Sequence, residues 1–188
     1  MSLGAVEIHA PRQLVLDALH CVKEGSALDL GAGYGRHSLL LASKGFKVTA
    51  VEPQSEMLKS LKQKAEKLGV SIRAKQADVR NFDGLGEEYD LVLSTMVLHF
   101  LSNHEEAVEA IDAMQKMTAK GGVNVICAYT DKSQTGLRPY LLNAEELRKS
   151  YSTWEILAFN ELEGADIKID GSDKGKKVYR VELIARNS

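Results

Sequence analysis

The chain has 188 residues, 44% of them hydrophobic and 27% charged, which is the balance of one soluble globular domain. Its formal net charge of −2 gives no electrostatic reason to expect nucleic acid as a partner. The longest apolar runs, such as Leu91–Leu93, are too short to cross a bilayer, so we expect no membrane-spanning segment and no membrane partner.

The two cysteines, Cys21 and Cys127, lie far apart, and no basic-then-apolar signal segment opens the chain. We therefore expect a cytoplasmic protein with two reduced, buried thiols rather than a disulfide. The five histidines do not have the spacing of metal ligands, so the sequence predicts no metal site.

Strand-like and helix-like patterns alternate along most of the chain. Helices are predicted over about residues 11–21 after Pro11, Arg36–Lys44, Ser55–Leu68, from the capping pattern Ser102/Glu105 to about Thr118, and from Asn143 to about Tyr151. Strands are predicted over Ser26–Leu30, Lys47–Val51, Ser71–Gln76, Asp90–Ser94, Val123–Tyr129 and Val178–Ala185. The segments Trp154–Asn160 and Ala165–Asp170 alternate like strand, and a turn is predicted at 171–175.

This alternation predicts an α/β fold. We expect a single doubly wound, Rossmann-like domain with a mostly parallel, seven-stranded sheet that ends in an antiparallel hairpin. The third strand is the least apolar and is expected near an edge of the sheet. The sequence shows no repeat or linker that would mark a second domain, and the loop over 131–140 is long enough to be functional.

A glycine-rich loop joins the first predicted strand to the following helix. Glycines allow a tight turn and a close approach of the backbone to a ligand, and ligands of open α/β sheets bind at the carboxyl ends of the strands. The candidate binding residues of this loop are Asp29, Gly31, Ala32, Gly33, Gly35 and Arg36.

Glu52 ends the second predicted strand, 21 residues after Gly31. A carboxylate at this place accepts hydrogen bonds from both hydroxyls of a ribose. The alternative interpretation is an acid that begins a helix, where the helix dipole favours it. The glycine loop upstream favours the ribose role.

Asp78 ends the third predicted strand and is followed by Val79. Its carboxylate is a candidate acceptor for the amino group of adenine, with the Val79 backbone N–H donating to the ring. The alternative is a turn aspartate that caps its own backbone. Pro53, Met57 and Val79 are candidates for packing against the adenine faces, although the spacing of Met57 also fits helix core.

The fourth predicted strand leads into Ser94 and His99. Carbonyl groups near Ser94 are candidate acceptors for a ligand amine. His99 is a candidate base or orienting donor, and its alternative is a packed histidine in an apolar stretch. His37, early in the helix after the glycine loop, is expected at the surface or at the rim of the site.

These features together resemble class I S-adenosylmethionine methyltransferases, from about Pro11 onwards. Further segments resemble the tellurite-resistance methyltransferase family. Residues 35–39 are similar to its Gly-Arg-Asn-Ser-Leu, and residues 93–101 to its Leu-Ser-Thr-Val-Val-Leu-Met-Phe-Leu. Residues 139–142, 146–148 and 151–155 resemble its Pro-Phe-x-Phe, Glu-Leu-Arg and Tyr-x-x-Trp-Glu.

The resemblance implies S-adenosyl-L-methionine as cofactor, with the Asp29 carboxylate facing its positively charged end. It also implies that residues 26–129 are the cofactor-binding core, that about 1–21 form an N-terminal helical part, and that 130–188 contribute the substrate side. Where the family has His-Arg near the reacting centre, this chain has Ile167 and Lys168. No catalytic residue is assigned; His99, Lys168 and Arg138 are the candidates for gathering an anionic substrate.

The expected function is methyl transfer to a small-molecule acceptor, either a metalloid oxyanion such as tellurite or selenite, or a thiol. The alternatives are a non-catalytic protein that binds the same cofactor and a nicotinamide-dependent oxidoreductase. The second alternative requires Gly-x-Gly-x-x-Gly, but Arg36 stands where that pattern has its third glycine. The expected partners are a small-molecule substrate and at most a second copy of the chain, as a monomer or homodimer.

Overall fold

The computed structural model describes residues 9–134, 139–164 and 177–188. The strands are β1 (Ser26–Leu30), β2 (Lys47–Val51), β3 (Ile72–Lys75), β4 (Tyr89–Thr95), β5 (Thr118–Tyr129), β6 (Glu155–Glu163) and β7 (Tyr179–Arg186). The α-helices are α1 (Gln13–Ala18), α2 (Arg36–Ser43), α3 (Ser55–Leu68), α4 (His104–Lys116) and α5 (Ala144–Ser150). Short 3₁₀ turns cover Val79–Asn81, Gly84–Gly86 and Leu98–Phe100.

The seven strands form one sheet in the order β3-β2-β1-β4-β5-β7-β6. The first five strands pair in parallel, whereas β7 is antiparallel to both β5 and β6. This confirms the predicted fold, including the hairpin and the edge position of β3. The strand order reverses between β1 and β4, which makes their carboxyl ends the switch point where such sheets bind ligands.

Successive side chains of the central strands point to opposite faces of the sheet, and apolar side chains cover both faces. On one face, Leu28 and Leu30 of β1 pack with Val92 of β4 and with apolar side chains of α4 and α5. On the other, Leu91 and Leu93 of β4 pack with α1 and α2. Both faces are therefore covered by helices, as buried parallel strands require. Among the described residues, no helix has the length and apolar character needed to cross a membrane.

The helix predicted over residues 11–21 is shorter than expected. Arg12 has an extended backbone (φ −69°, ψ 143°), so Pro11 precedes the helix instead of opening it. Past Ala18, the N–H groups of His20 and Cys21 bond to carbonyls three residues earlier, at 3.0 and 2.9 Å, so the chain turns more tightly there than in an α-helix.

The predicted cap of α4 is wrong by one residue. The side chain of Asn103 accepts from the Glu106 N–H at 2.9 Å, and Glu106 accepts from the Ser102 N–H at 2.9 Å. Asparagine is at least as good an N-cap as serine, so the helix begins after Asn103 and Glu106 takes the place predicted for Glu105.

The start of β5 also differs from the prediction, because the strand begins at Thr118 and contains the Gly121-Gly122 pair. Gly121 N–H donates to the Asn187 carbonyl at 2.7 Å, and Asn187 N–H donates to Gly122 at 2.9 Å. Pairing with the end of the chain therefore keeps this segment extended. Strand β6 runs on to Glu163, and the strand predicted over Ala165–Asp170 and its turn lie outside the described residues.

Candidate functional site

A cavity of about 440 Å³ opens at the carboxyl ends of the parallel strands. Its volume lies within the range of small-molecule sites, about 300–1,000 Å³. The lining residues come from the loops after β1, β2, β3 and β4: Gly31, Gly33, Glu52, Pro53, Gln54, Met57, Asp78, Val79, Arg80, Met96, Val97, Phe100 and Leu101. The cavity thus joins segments that are far apart in the sequence.

The three glycines of the loop have different surroundings, although all adopt positive φ. A Cβ on Gly33 would meet no atom within 4 Å, so this residue leaves the cavity floor open. A Cβ on Gly31 would meet Val97 at 2.3 Å, and one on Gly35 would meet Leu61 at 2.7 Å. Gly35 is therefore needed for helix packing; it does not line the cavity.

Asp29 and Ala32, two other predicted loop residues, are buried and do not line the cavity. Ala32 packs against α3. The Asp29 side chain accepts a hydrogen bond from the Ser38 hydroxyl at 2.6 Å. Burial raises the pKa of the Asp29 carboxyl to about 6, and the hydrogen bonds from Ser38 partly oppose that rise.

Two residues of the first turn of α2 differ in exposure. Arg36 is half-buried, and its charge favours the ionised form of Asp29. His37, expected at the surface or the rim, is buried instead. Its Nε2 accepts from the Arg12 N–H at 3.3 Å, and its Nδ1 lies 3.1 Å from Thr95 Oγ1. Burial, together with the charges of Arg36 and Arg12, lowers the pKa of His37 to about 3, so this imidazole is neutral at physiological pH.

Glu52 lies in the cavity wall and is only 5% exposed. Its Oε2 accepts from the Gly33 N–H at 2.9 Å, and its Oε1 accepts from the Gln54 N–H at 3.0 Å. The carboxylate thus faces the glycine loop, as the ribose prediction requires, and also orders the backbone at the start of α3. A carboxylate accepts about four hydrogen bonds, so each oxygen retains acceptor capacity.

Asp78 caps its own turn, as one interpretation expected, and it also has the cavity position that the adenine interpretation requires. The cap is the hydrogen bond that Asp78 accepts from the Arg80 N–H at 3.0 Å. The Arg80 guanidinium holds the pKa of the Asp78 carboxyl below its usual value, so the side chain is charged. Arg80 itself was not a predicted site residue.

Three predicted packing residues, Pro53, Met57 and Val79, share the cavity wall. On α3 the buried residues are Leu58, Leu61 and Ala65, so Met57 belongs to the cavity side of the helix and not to its core face. These side chains provide apolar surface on the part of the cavity that also holds Glu52 and Asp78.

The loop after β4 supplies an apolar wall that the sequence-based analysis did not identify. Met96 has φ 62°, a rare conformation for a residue with a side chain, and its N–H donates to the Cys127 carbonyl. The next residue, Val97, packs against Gly31. Phe100 and Leu101 complete the wall, and Phe100 is 57% exposed at the cavity.

Two candidates near β4 are not in the cavity wall. Ser94 is fully buried, and its hydroxyl has no hydrogen-bond partner among the described residues. His99 is buried between the rings of Phe100 and Tyr129, with centroid distances of 4.5 and 4.6 Å. This is the packed arrangement that was the alternative for His99. The other two catalytic candidates, Arg138 and Lys168, lie outside the described residues.

The family is identified by comparison with known proteins. A model of the family described as "Tellurite resistance protein TehB" matches residues 5–183. The chain belongs to this family. A curated relative, "Probable S-adenosyl-L-methionine-dependent methyltransferase TehB" of Haemophilus influenzae (strain 10810), is 34% identical over 175 residues, which are 92% of this chain and 60% of the relative.

Solved structures agree with this assignment. The crystal structure of TehB from Haemophilus influenzae has a TM-score of 0.86 and 29% identity, over 96% of this chain and 63% of that one. N-methyltransferase NodS from Bradyrhizobium japonicum WM9, solved with S-adenosyl-L-homocysteine, has a TM-score of 0.66 at 20% identity over 93% of this chain and 84% of that one, which shows the fold alone. This chain spans less than two thirds of the length of the two TehB relatives.

Proposed function

We propose that this chain transfers the methyl group of S-adenosyl-L-methionine to a small-molecule acceptor. The main support for the proposal is that Glu52 and Gly33 lie side by side in the wall of one cavity, where the Gly33 N–H donates to the Glu52 carboxylate. A glycine with open space above its Cα lets a ligand lie against the backbone, while the facing carboxylate is an acceptor for a ribose diol. The family assignment supports the same function.

The remaining walls fit the rest of such a cofactor. We assign Pro53, Met57 and Val79 to the adenine faces and Asp78 to its amino group, because all four line the cavity. Gly31 would lie beside the methionine part. Asp29 and Arg36 would act on that part from behind the loop, through the field of their charges, since Asp29 is buried. Ala32, Gly35 and Ser94 would hold the surrounding backbone in place.

The cofactor, when bound, would supply an electrophilic methyl group on a sulfonium. The chain then has to orient an acceptor in line with the S–C bond and to exclude water. Met96, Val97, Phe100 and Leu101 provide an apolar wall for this purpose. The acceptor's lone pair forms the new bond to the methyl carbon as the S–C bond breaks, so an anionic or thiolate acceptor requires no general base.

We propose a metalloid oxyanion or a thiol as acceptor, on the basis of the family's association with tellurite resistance. The test is a methyl-transfer assay with tellurite, selenite and small thiols, in which S-adenosylhomocysteine is quantified. Product formation with one acceptor class assigns it. Binding of S-adenosylhomocysteine without any transfer would support a non-catalytic cofactor-binding protein instead.

We also infer a cytoplasmic protein that acts on small molecules, without nucleic acid, as a monomer or homodimer. Cys21 and Cys127 are not joined in a disulfide, which supports a reducing compartment. The formal charge of −2 supports the absence of a nucleic-acid partner.

A further inference from the structure

Arg80 lies in the cavity wall two residues after Asp78 and holds that side chain with a fork of two hydrogen bonds. Its Nε donates to Asp78 Oδ1 at 2.9 Å, and its Nη2 donates to Oδ2 at 2.7 Å. Two parallel charge-assisted bonds fix the plane of a carboxylate as well as its position. The Asp78 carboxylate is therefore oriented and not free to rotate about its Cβ–Cγ bond.

The same contacts limit what Asp78 can still accept. A carboxylate has about four lone-pair sites. Arg80 occupies three of them, two through the guanidinium and one through its backbone N–H, which reaches Oδ1 at 3.0 Å. The remaining acceptor capacity is on Oδ2. An aspartate that only capped its turn would need the backbone bond alone.

A second acid holds Arg80 from the opposite side. Nη1 of Arg80 lies 3.7 Å from Glu106 Oε2, and Glu106 is itself fixed by accepting from the Ser102 N–H at 2.9 Å. Arg80 thus connects the turn after β3 to the first turn of α4, and the two elements are in contact. This ion pair favours the position of the guanidinium on Asp78, where two of its five N–H donors are used.

We propose that Arg80 is a positioning residue that presents the remaining acceptor of Asp78 to the 6-amino group of adenine. It thereby makes the cavity selective for an adenine over a 6-oxopurine. The inference rests on the proposed function, because that function brings an adenosine into the cavity. A 6-oxopurine carries a carbonyl where adenine has an amine, so its lone pairs would face those of the half-buried Asp78 carboxylate, and a charge-assisted hydrogen bond would be lost.

The test compares two ligands by isothermal titration calorimetry: S-adenosylhomocysteine and S-inosylhomocysteine. They differ at the purine ring, where the amino group at position 6 is replaced by oxygen. The wild-type protein is expected to prefer the adenosyl ligand by roughly 10- to 100-fold, the scale of one charge-assisted hydrogen bond. In Arg80→Met the preference should fall below about 5-fold, since the carboxylate then rotates.

Two further variants separate geometry from charge. Arg80→Lys keeps the charge but loses the fork, so it should resemble Arg80→Met. Arg73→Met is the matched control, because Arg73 pairs with Glu87 at 2.8 Å, is 49% exposed where Arg80 is 44% exposed, and does not line the cavity. It should keep the wild-type preference. Circular dichroism verifies that each variant is folded.

An Arg80→Met preference that equals or exceeds the wild-type value would overturn the inference, because Arg80 would then be neutral or would compete with the base. Full recovery in Arg80→Lys would overturn the geometric role. If the wild-type protein binds both ligands equally well, the inference fails while the proposed function stands. If it binds neither, the proposed function fails and the inference fails with it.

Discussion

One oxygen of the Glu52 carboxylate accepts a hydrogen bond from the backbone N–H of Gly33 at 2.9 Å. The acid at the end of β2 is thereby tied to the middle glycine of the loop after β1, and its other oxygen orders the start of α3 through Gln54. Glu52 therefore has a structural role in addition to the proposed ribose contact. The helix-start interpretation and the ribose interpretation are compatible.

Glu52→Gln should weaken the binding of S-adenosylhomocysteine by about 1.5–3 kcal/mol, because the ribose hydroxyls lose a charged acceptor. It should also lower the melting temperature by roughly 2–4 °C, the effect of about 1 kcal/mol in a domain of this size, because the new NH₂ group cannot accept from both backbone donors. Calorimetry and thermal unfolding measure the two effects. Glu66→Gln, on the exposed face of α3, should change neither; an unchanged dissociation constant in folded Glu52→Gln would leave only the structural role.

Gly33→Ala should reduce cofactor binding more than it reduces stability. The new methyl group would stand on the open floor of the cavity, and positive φ costs a residue with a side chain about 1–2 kcal/mol. Gly69, which ends α3, has φ 67° and equally open surroundings, but it does not line the cavity. Gly69→Ala therefore controls for backbone strain. Equal binding by the two variants would show that the ligand does not approach Gly33.

Binding of S-adenosylhomocysteine should strengthen as the pH rises from about 5 to 7, by up to about tenfold, and then level off. The reason is that burial raises the pKa of Asp29 to about 6, whereas the ligand ammonium group favours the ionised carboxylate, so binding below this pH releases a proton. The measurement is the dissociation constant as a function of pH. Asp29→Asn should flatten the profile, and a flat wild-type profile would contradict a charge interaction with Asp29.

Asp29 should also make the free energy of unfolding depend on pH. The folded pKa of Asp29, about 6, lies above its ordinary value of 3.8, so between these pH values the folded state holds a proton that the unfolded state has released. The contribution of Asp29 to the free energy of unfolding therefore falls as the pH rises from about 4 to 6, by up to about 3 kcal/mol. Urea unfolding across this window should show that slope in the wild-type protein and lose it in Asp29→Asn.

Tyr151→Phe should destabilise the fold by about 1–3 kcal/mol without changing cofactor affinity. The Tyr151 hydroxyl donates to Asn124 Oδ1 at 2.7 Å, and Asn124 donates in turn to Thr118, all in buried positions on the α4–α5 face of the sheet. Removing the hydroxyl leaves the amide oxygen unsatisfied. Thermal unfolding and calorimetry distinguish this outcome from one in which affinity also falls, which would place Tyr151 in the site.

Tyr151 also begins the segment over 151–155 that resembles the family. Its ring packs edge-on against Trp154 at 5.2 Å, and Glu155 pairs with Arg186 of β7. This segment therefore joins α5 to the hairpin. The resemblance identified the family correctly, while the contacts described for these residues are structural.

Local sequence patterns were sufficient for the sheet and for much of the cavity. Strand ends determine which loops meet, so Glu52, Asp78 and Val79 could be placed from the order of elements alone. Asp29 could not be placed in this way. Its side chain points towards α2, where it accepts a hydrogen bond from the Ser38 hydroxyl. Sequence spacing gives no information on that donor.

The sequence did not reveal residues whose position depends on partners far away along the chain. His37 bonds to the backbone of Arg12 and to Thr95, which is 58 positions away, so its burial depends on the assembled fold. Arg80 is close to Asp78 in sequence, but its importance depends on a cavity that forms only when the loops after β1, β2, β3 and β4 come together. Met96 has a positive φ that no residue preference predicts.

The central claim is that the cavity between Gly33, Glu52 and Asp78 binds S-adenosylmethionine. The most direct measurement is a titration of the protein with S-adenosylhomocysteine and, separately, with NAD, followed by calorimetry and by the melting temperature. We expect micromolar binding of S-adenosylhomocysteine with a melting temperature that rises with ligand concentration, and no effect of NAD. A rise with NAD and none with S-adenosylhomocysteine would contradict it.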